Sequence, residues 1–204
     1  MLSFKSIAVV VTLAFGAITS FAAPVESSLV RKDANVTGVA KIISDVTVAV
    51  TPLTVQLQQI TADNCTADTL TPVINDINNI LNGAVTEVNK LVGQPVQTIL
   101  ATVDGAAQIT VGELAQIIAA LLNLVLAALG AVLKVASGDV LSVVTPLLAS
   151  VGTAVGALLT AVLSLVSQLL GGLLAAVLGL VGDVLGVVTQ LNVAGLTSLL
   201  GLNL

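Results

Sequence analysis

Histidine, tryptophan and tyrosine are absent from this chain of 204 residues, and cysteine and methionine occur once each. Without histidine the commonest general base and the commonest nitrogen ligand for zinc are missing. Nucleophile and base pairs then reduce to Ser or Thr, Lys and carboxylates. Of these only Asp63 with Asp68, and Asn75 with Asp76, cluster at all, and both read as solvated loop and helix-face residues. No glycine-rich phosphate loop follows a strand pattern and no Cys/His metal spacing exists, so the expectation is a protein that is not an enzyme and holds no cofactor or metal. The single Cys65 forbids an intramolecular disulfide and excludes a disulfide-stapled scaffold. It leaves two readings open, an intermolecular disulfide between two copies or a buried thiol.

Aromatic rings are confined to Phe4, Phe15 and Phe21. All three lie in an N-terminal segment built like a secretory signal: Lys5, an apolar run from Ile7 to Ile18, then Ser20-Phe21-Ala22 with small residues where signal peptidase reads. Cleavage after Ala22 predicts a secreted mature chain without any aromatic residue. That chain has five basic against eleven acidic residues, a net charge of −6, which disfavours nucleic acid and anionic lipid as partners. Two sequons, Asn35-Val36-Thr37 and Asn64-Cys65-Thr66, make Asn35 and Asn64 candidates for N-glycosylation. Arg31-Lys32 reads as an ordinary solvated pair.

What is present is aliphatic, and its diluents change along the chain. After the signal peptide (1–22), residues 23–109 mix apolar side chains with Asn, Asp, Gln and Thr. Residues 110–204 mix them with Gly, Ala and Ser, and from Leu114 to Leu204 the charged side chains are only Lys134, Asp139 and Asp183. The length suits one domain or two small layers packed together. Thr110-x-x-Glu113 is a capping box and predicts a helix start at the boundary. Thr51-Pro52, Thr71-Pro72, Thr145-Pro146 and, less well formed, Gln94-Pro95 are read as further starts, with Thr capping and Pro in the first turn. Val36, Val39, Ile43, Val46 and Val50 recur at heptad spacing, and Val73, Ile77, Ile80, Val85, Val88 and Leu91 predict one apolar helix face, with Asn75, Asp76, Asn78 and Asn79 on the other. Alternation between Asp45 and Leu57 suits a strand, but Pro52 interrupts it and no partner strand is evident, so that segment too is read as helix. The fold class expected is all-α.

In the hydrophobic half, large residues arrive in pairs from Leu158/Leu159 to Val187/Val188 and Leu191, at a mean step of about 3.7 residues, close to the helical repeat. Between them lie Thr160, Ser164, Gly171/Gly172, Ala175/Ala176, Gly179, Gly182 and Gly186, a small face that admits close backbone approach. Gly152-x-x-x-Gly156 and Gly182-x-x-x-Gly186 fit the small-residue packing motif. Gly171-Gly172 marks a helix break. Uncharged stretches from Leu114 to Leu133 and from Val140 to Gly182 are long enough for an integral membrane protein with two to four spans. Aromatic belts and flanking positive charge are missing, and the large/small alternation suits a helix with two distinct faces. The reading preferred is a surface-active protein that associates with itself and with hydrophobic surfaces, cell-wall components or lipid.

The signal peptide ending Ser20-Phe21-Ala22, the polar half with Thr-Pro steps and the run Leu169-Leu-Gly-Gly-Leu-Leu-Ala-Ala-Val-Leu-Gly-Leu resemble small secreted cell-wall proteins of mushroom-forming fungi. That resemblance covers the whole layout and implies a structural role at hyphal surfaces, in aerial growth and attachment, shared with hydrophobins. Hydrophobins themselves need eight cysteines where this chain has Cys65. A fainter similarity, from Val36 to Val92, is to fungal proteins that bind hydrophobic surfaces. Both rest on layout and composition, so neither transfers a functional residue.

Overall fold

Aliphatic residues at three- and four-residue spacing produce helix over most of the residues that the computed structural model describes, 37–166, 172–182 and 185–191. Among them are seven helices and no strand, an all-α fold. The helices are α1 (Val39–Gln58), α2 (Ala67–Lys90), the single turn α3 (Val96–Ile99), α4 (Val111–Val135), α5 (Asp139–Val166), α6 (Leu173–Val181) and α7 (Leu185–Leu191). The signal segment, Asn35, Val36, Gly171 and Asp183 lie outside the described residues. Residues 35–204 form one compact unit, so the polar and hydrophobic halves share one core.

Four long helices form a ring in the order α1, α2, α5, α4: α1 packs on α2 and α4, α2 on α5, and α4 meets α5 over a short stretch. The start of α1 is fixed by Gly38, where an added Cβ would sit 2.8 Å from the Ala101 carbonyl and 2.9 Å from that of Thr98. Those carbonyls belong to the connector 91–110, which also leads into α4. Thus α1 and α4 start at the same end and run parallel, while α2 and α5 return side by side. Asn78 Nδ2 donates to Ser150 Oγ at 2.8 Å between α2 and α5, and is the one side-chain hydrogen bond between helices among the described residues. The remaining adhesion is aliphatic. Thr54 is the one buried polar side chain among the described residues, and its hydroxyl is spent locally on the Thr51 carbonyl at 2.8 Å.

The heptad residues Val39, Ile43, Val46 and Val50 of α1 are all buried, and the helix runs through the 45–57 segment whose alternation suited a strand. In α2 the core face is Leu70, Ile74, Ile77, Leu81, Ala84 and Val88. These fall within about 80° of the circumference, as a seam of 3.5-residue period requires. Of the expected face, Ile77, Val88 and Leu91 are in the core, whereas Val73, Ile80 and Val85 occupy its half-buried rim. By contrast the buried residues of α4 and of α5 each span about 200°.

The Thr-Pro steps do not begin helices. Pro52, Pro72 and Pro146 lie inside α1, α2 and α5, all on solvent-exposed faces. Proline removes the N–H that would bond the carbonyl four residues back, at Val48, Asp68 and Ser142, and each of those residues is exposed where water can replace it. The preceding threonines donate to carbonyls of the previous turn: Thr51 to Thr47 at 2.6 Å, Thr71 to Ala67 at 2.6 Å and Thr145 to Leu141 at 2.7 Å. Such back-bonding suits a curved helix more than a terminus. The fourth step is the exception: Pro95 is the N-cap of α3. The expected start at Thr110 holds, with Glu113 N–H donating to Thr110 Oγ1 at 3.3 Å and Thr110 N–H to Glu113 Oε2 at 2.9 Å.

Replacing Ile77 by Ala deletes a fully buried side chain and is expected to cost about 2–5 kcal/mol in denaturant unfolding. Val48→Ala, on the outer face of α1, is expected to change stability by less than about 0.5 kcal/mol. Equal losses would place the core on the wrong face.

Candidate functional surface

The polar groups singled out in the sequence do not converge. Asp63, Asp68, Asn75 and Asp76 are exposed along the α1–α2 turn and the outer face of α2. No group of three or more His, Cys, Asp or Glu side chains poised for a metal ion occurs among the described residues. Cys65 is only 2% exposed, and burial pushes its thiol above the ordinary value near 9.0. A thiol that is both covered and protonated is not presented to a second copy, so of the two readings the buried thiol fits this geometry. Asn64 beside it is exposed, its Oδ1 accepting from Thr61 N–H at 2.7 Å, while the sequon hydroxyl of Thr66 caps α2 through Thr69 N–H at 3.3 Å.

The two glycine motifs differ. Gly152 and Gly156 both lie on the buried face of α5. Gly182 and Gly186 are exposed, with nothing within 4 Å of an added Cβ. Among the described residues no neighbour approaches that pair closely. Most of the small face points outward: Thr160, Ser164, Gly172, Ala175, Gly179, Gly182 and Gly186 are exposed, while Ala176 is half-buried against the core. The large pairs point inward, each described pair placing at least one member in the core, as with Val162, Val166, Leu173, Val177, Val181 and Val188.

Exposed large aliphatics gather at the ends of the bundle. At the connector end Val92, Val96 and Val103 are uncovered, Val92 by 67%, and Val92 and Val96 rim a cleft of about 800 Å³ between the ends of α2 and α5, floored by Val85, Ala157 and Leu165. At the opposite end Val140, Leu141 and Val143 stand out from the first turn of α5, and along α1 the outer face carries Val48 and Val55. The patch at the connector end was not foreseen, because single valines in a polar stretch carry no periodic signal.

Two exposed carboxylates beside a second cleft of about 720 Å³ are electrostatically biased. The Thr110 backbone N–H and then its hydroxyl hold Glu113 below its ordinary value near 4.5. The Thr102 hydroxyl at 2.6 Å, then the Ala106 N–H at 3.2 Å, do the same for Asp104. Both carboxylates are tied into the local geometry of the connector and the cap, so they order the backbone that joins α3 to α4.

Neither a protein-family model, nor a curated protein, nor a solved structure matches the chain.

A carboxyl with a lowered folded pKa binds protons less readily when folded, so its stabilisation is complete above the ordinary carboxylate range and is lost as pH falls through the folded value. Wild type is thus expected to exceed Glu113→Gln in thermal stability at neutral pH, with the gap narrowing once pH drops below 4.5. A gap independent of pH would mean that the carboxylate charge plays no part. At the sequon, if the chain is secreted by a glycosylating cell, endoglycosidase treatment is expected to lower the mass of the secreted protein, and Asn64→Gln to remove that response at this position. An unmodified Asn64 peptide in the secreted protein would refute glycosylation there.

Proposed function

We propose that this chain is a secreted, surface-active structural protein that coats hydrophobic surfaces in a cell wall or extracellular matrix and associates with itself. The proposed action is bulk amphiphilicity, without a catalytic centre. The observation that carries this reading is the double use of the same helices. Val111–Val135 and Asp139–Val166 are apolar enough to leave water altogether, yet 56% and 50% of their most apolar windows are buried inside a bundle whose outer faces hold Ser, Thr, Asn and Gln. A protein built this way carries its adsorbing surface folded inward and can be handled by water until it meets an apolar phase. The resemblance in layout to small hydrophobic wall proteins of fungi points the same way and makes hyphal surfaces the proposed setting.

A second reading rests on a specific observation of its own. Val39–Gln58, Val111–Val135 and Asp139–Val166 are each long and apolar enough to cross a membrane, which suits an integral membrane protein. Lipid would then replace water around the ring. Against it stand the charges Lys41 and Asp45, paired at 2.9 Å on the outer face of α1, and the missing aromatic belts.

Fractionation of the producing cells separates the two. The protein is expected in the medium or wall fraction, to leave membranes in a carbonate wash, and to lower the surface tension of water when purified. Retention through the carbonate wash with release only by detergent would establish the membrane reading instead.

A further inference from the structure

The apolar circumference of α4 is too wide for α1 to cover. Its buried residues span about 200°, from Leu121 and Ala128 on one flank to Ala119 and Gly130 on the other, whereas a single helix neighbour fills about half of that. The remainder is covered by α6, which packs on α4, and by α7, which touches both α4 and α5. Of these, α6 has 9 residues, a length at which a helix in water does not persist on its own. Its helicity depends on the surface beneath it.

The attachment is purely aliphatic. Leu173, Val177 and Val181 of α6 and Val188 and Leu191 of α7 are buried. Among the described residues of this segment the side-chain hydrogen bond present is internal, from Thr189 to the Gly186 carbonyl at 2.8 Å, and no ion pair reaches α4. Gly172, at φ 84°, opens α6 without a side-chain cap. Contacts of this kind hold in water, because separation would wet both surfaces. They confer almost no preference against an oil or air phase, which receives the same side chains at little cost.

We propose that α6 and α7 are a displaceable cover, and that the flank of α4 beneath them is the surface that meets an air–water or oil–water boundary. The proposal rests on the surface-active reading given above and adds to it where the molecule opens. The closest contact of the cover is at α7: a Cβ built on Gly130 of α4 would lie 2.9 Å from Val187 Cγ2.

That same contact supplies the test. A Cβ at position 130 is within about 4.4 Å of Val187 Cβ, inside the range that a disulfide bridges. The double variant Gly130→Cys, Val187→Cys is made in the full mature chain, its bond located by peptide mass and its helix content checked by circular dichroism. Adsorption to an air–water interface is then followed by surface pressure before and after reduction, with wild type as reference. The bonded form is expected to adsorb about tenfold or more slowly than the reduced form, since closing the cover depletes the competent state. Wild type is expected to be indifferent to reductant. Equal rates for bonded and reduced forms would overturn the cover while leaving surface activity intact. Absence of adsorption by wild type would instead remove the surface-active reading, and the cover with it. Failure of the bond to form under oxidant would show that α7 is not seated on α4 in solution, and would overturn the proposal directly.

Discussion

Burial of branched aliphatic side chains around α4 is the interaction on which the rest of this structure depends. α4 touches α1, α5, α6 and α7, and its neighbours touch one another through the same kind of surface. Each buried Leu or Val contributes roughly 1.5–3 kcal/mol by leaving water, and that attraction has no direction. Direction comes from elsewhere: the Thr110 and Glu113 box that starts α4, Gly38 locked under the connector carbonyls, and the bond from Asn78 to Ser150. So the free energy is supplied by bulk apolarity, and the geometry by a few small or polar residues.

That division also explains how far the sequence was readable. The capping box, the heptad of α1 and the break at Gly172 are local in origin, and each stands where the spacing put it. The Thr-Pro steps misled because the same residues that suit a first turn also fit the solvent side of a long curved helix, where a lost backbone hydrogen bond is replaced by water. The face of α2 was off in phase because Val73 and Ile80 are as apolar as Ile74 and Leu81. Only the positions of α1 and α5 decide which of them sits in the seam. Most of the small stripe of the C-terminal half faces water, because the large residues beside it supply more burial. As for a functional site, the valines at the connector end follow no period, and only the fold gathers them.

The two functional readings are variants of a single property. A helix such as Asp139–Val166 satisfies the length and composition of a membrane span and at the same time supplies one side of a water-facing bundle. What distinguishes the outcomes is what lies on its other side: Ser150, Thr153, Thr160 and Ser164 present hydroxyls that either water or a helix backbone can satisfy. Three of them, Ser150, Thr153 and Thr160, already donate to carbonyls of their own helix, so their polarity is partly masked. Such a face is wettable without being strongly hydrated.

The ring order of the helices bears on how the chain folds. The bond between Asn78 and Ser150 joins residues 72 apart, and the seams of α1 with α4 and α2 with α5 close across comparable separations, whereas the short-range hairpin of α4 and α5 barely pairs. Helical proteins usually fold fast because their contacts are local; here loop closure has to be completed before the main seams form. During that interval α4 and α5 are fully synthesised and still uncovered, the condition under which apolar chains meet one another first. For this molecule, folding has to bring distant surfaces together before its most apolar helices are covered.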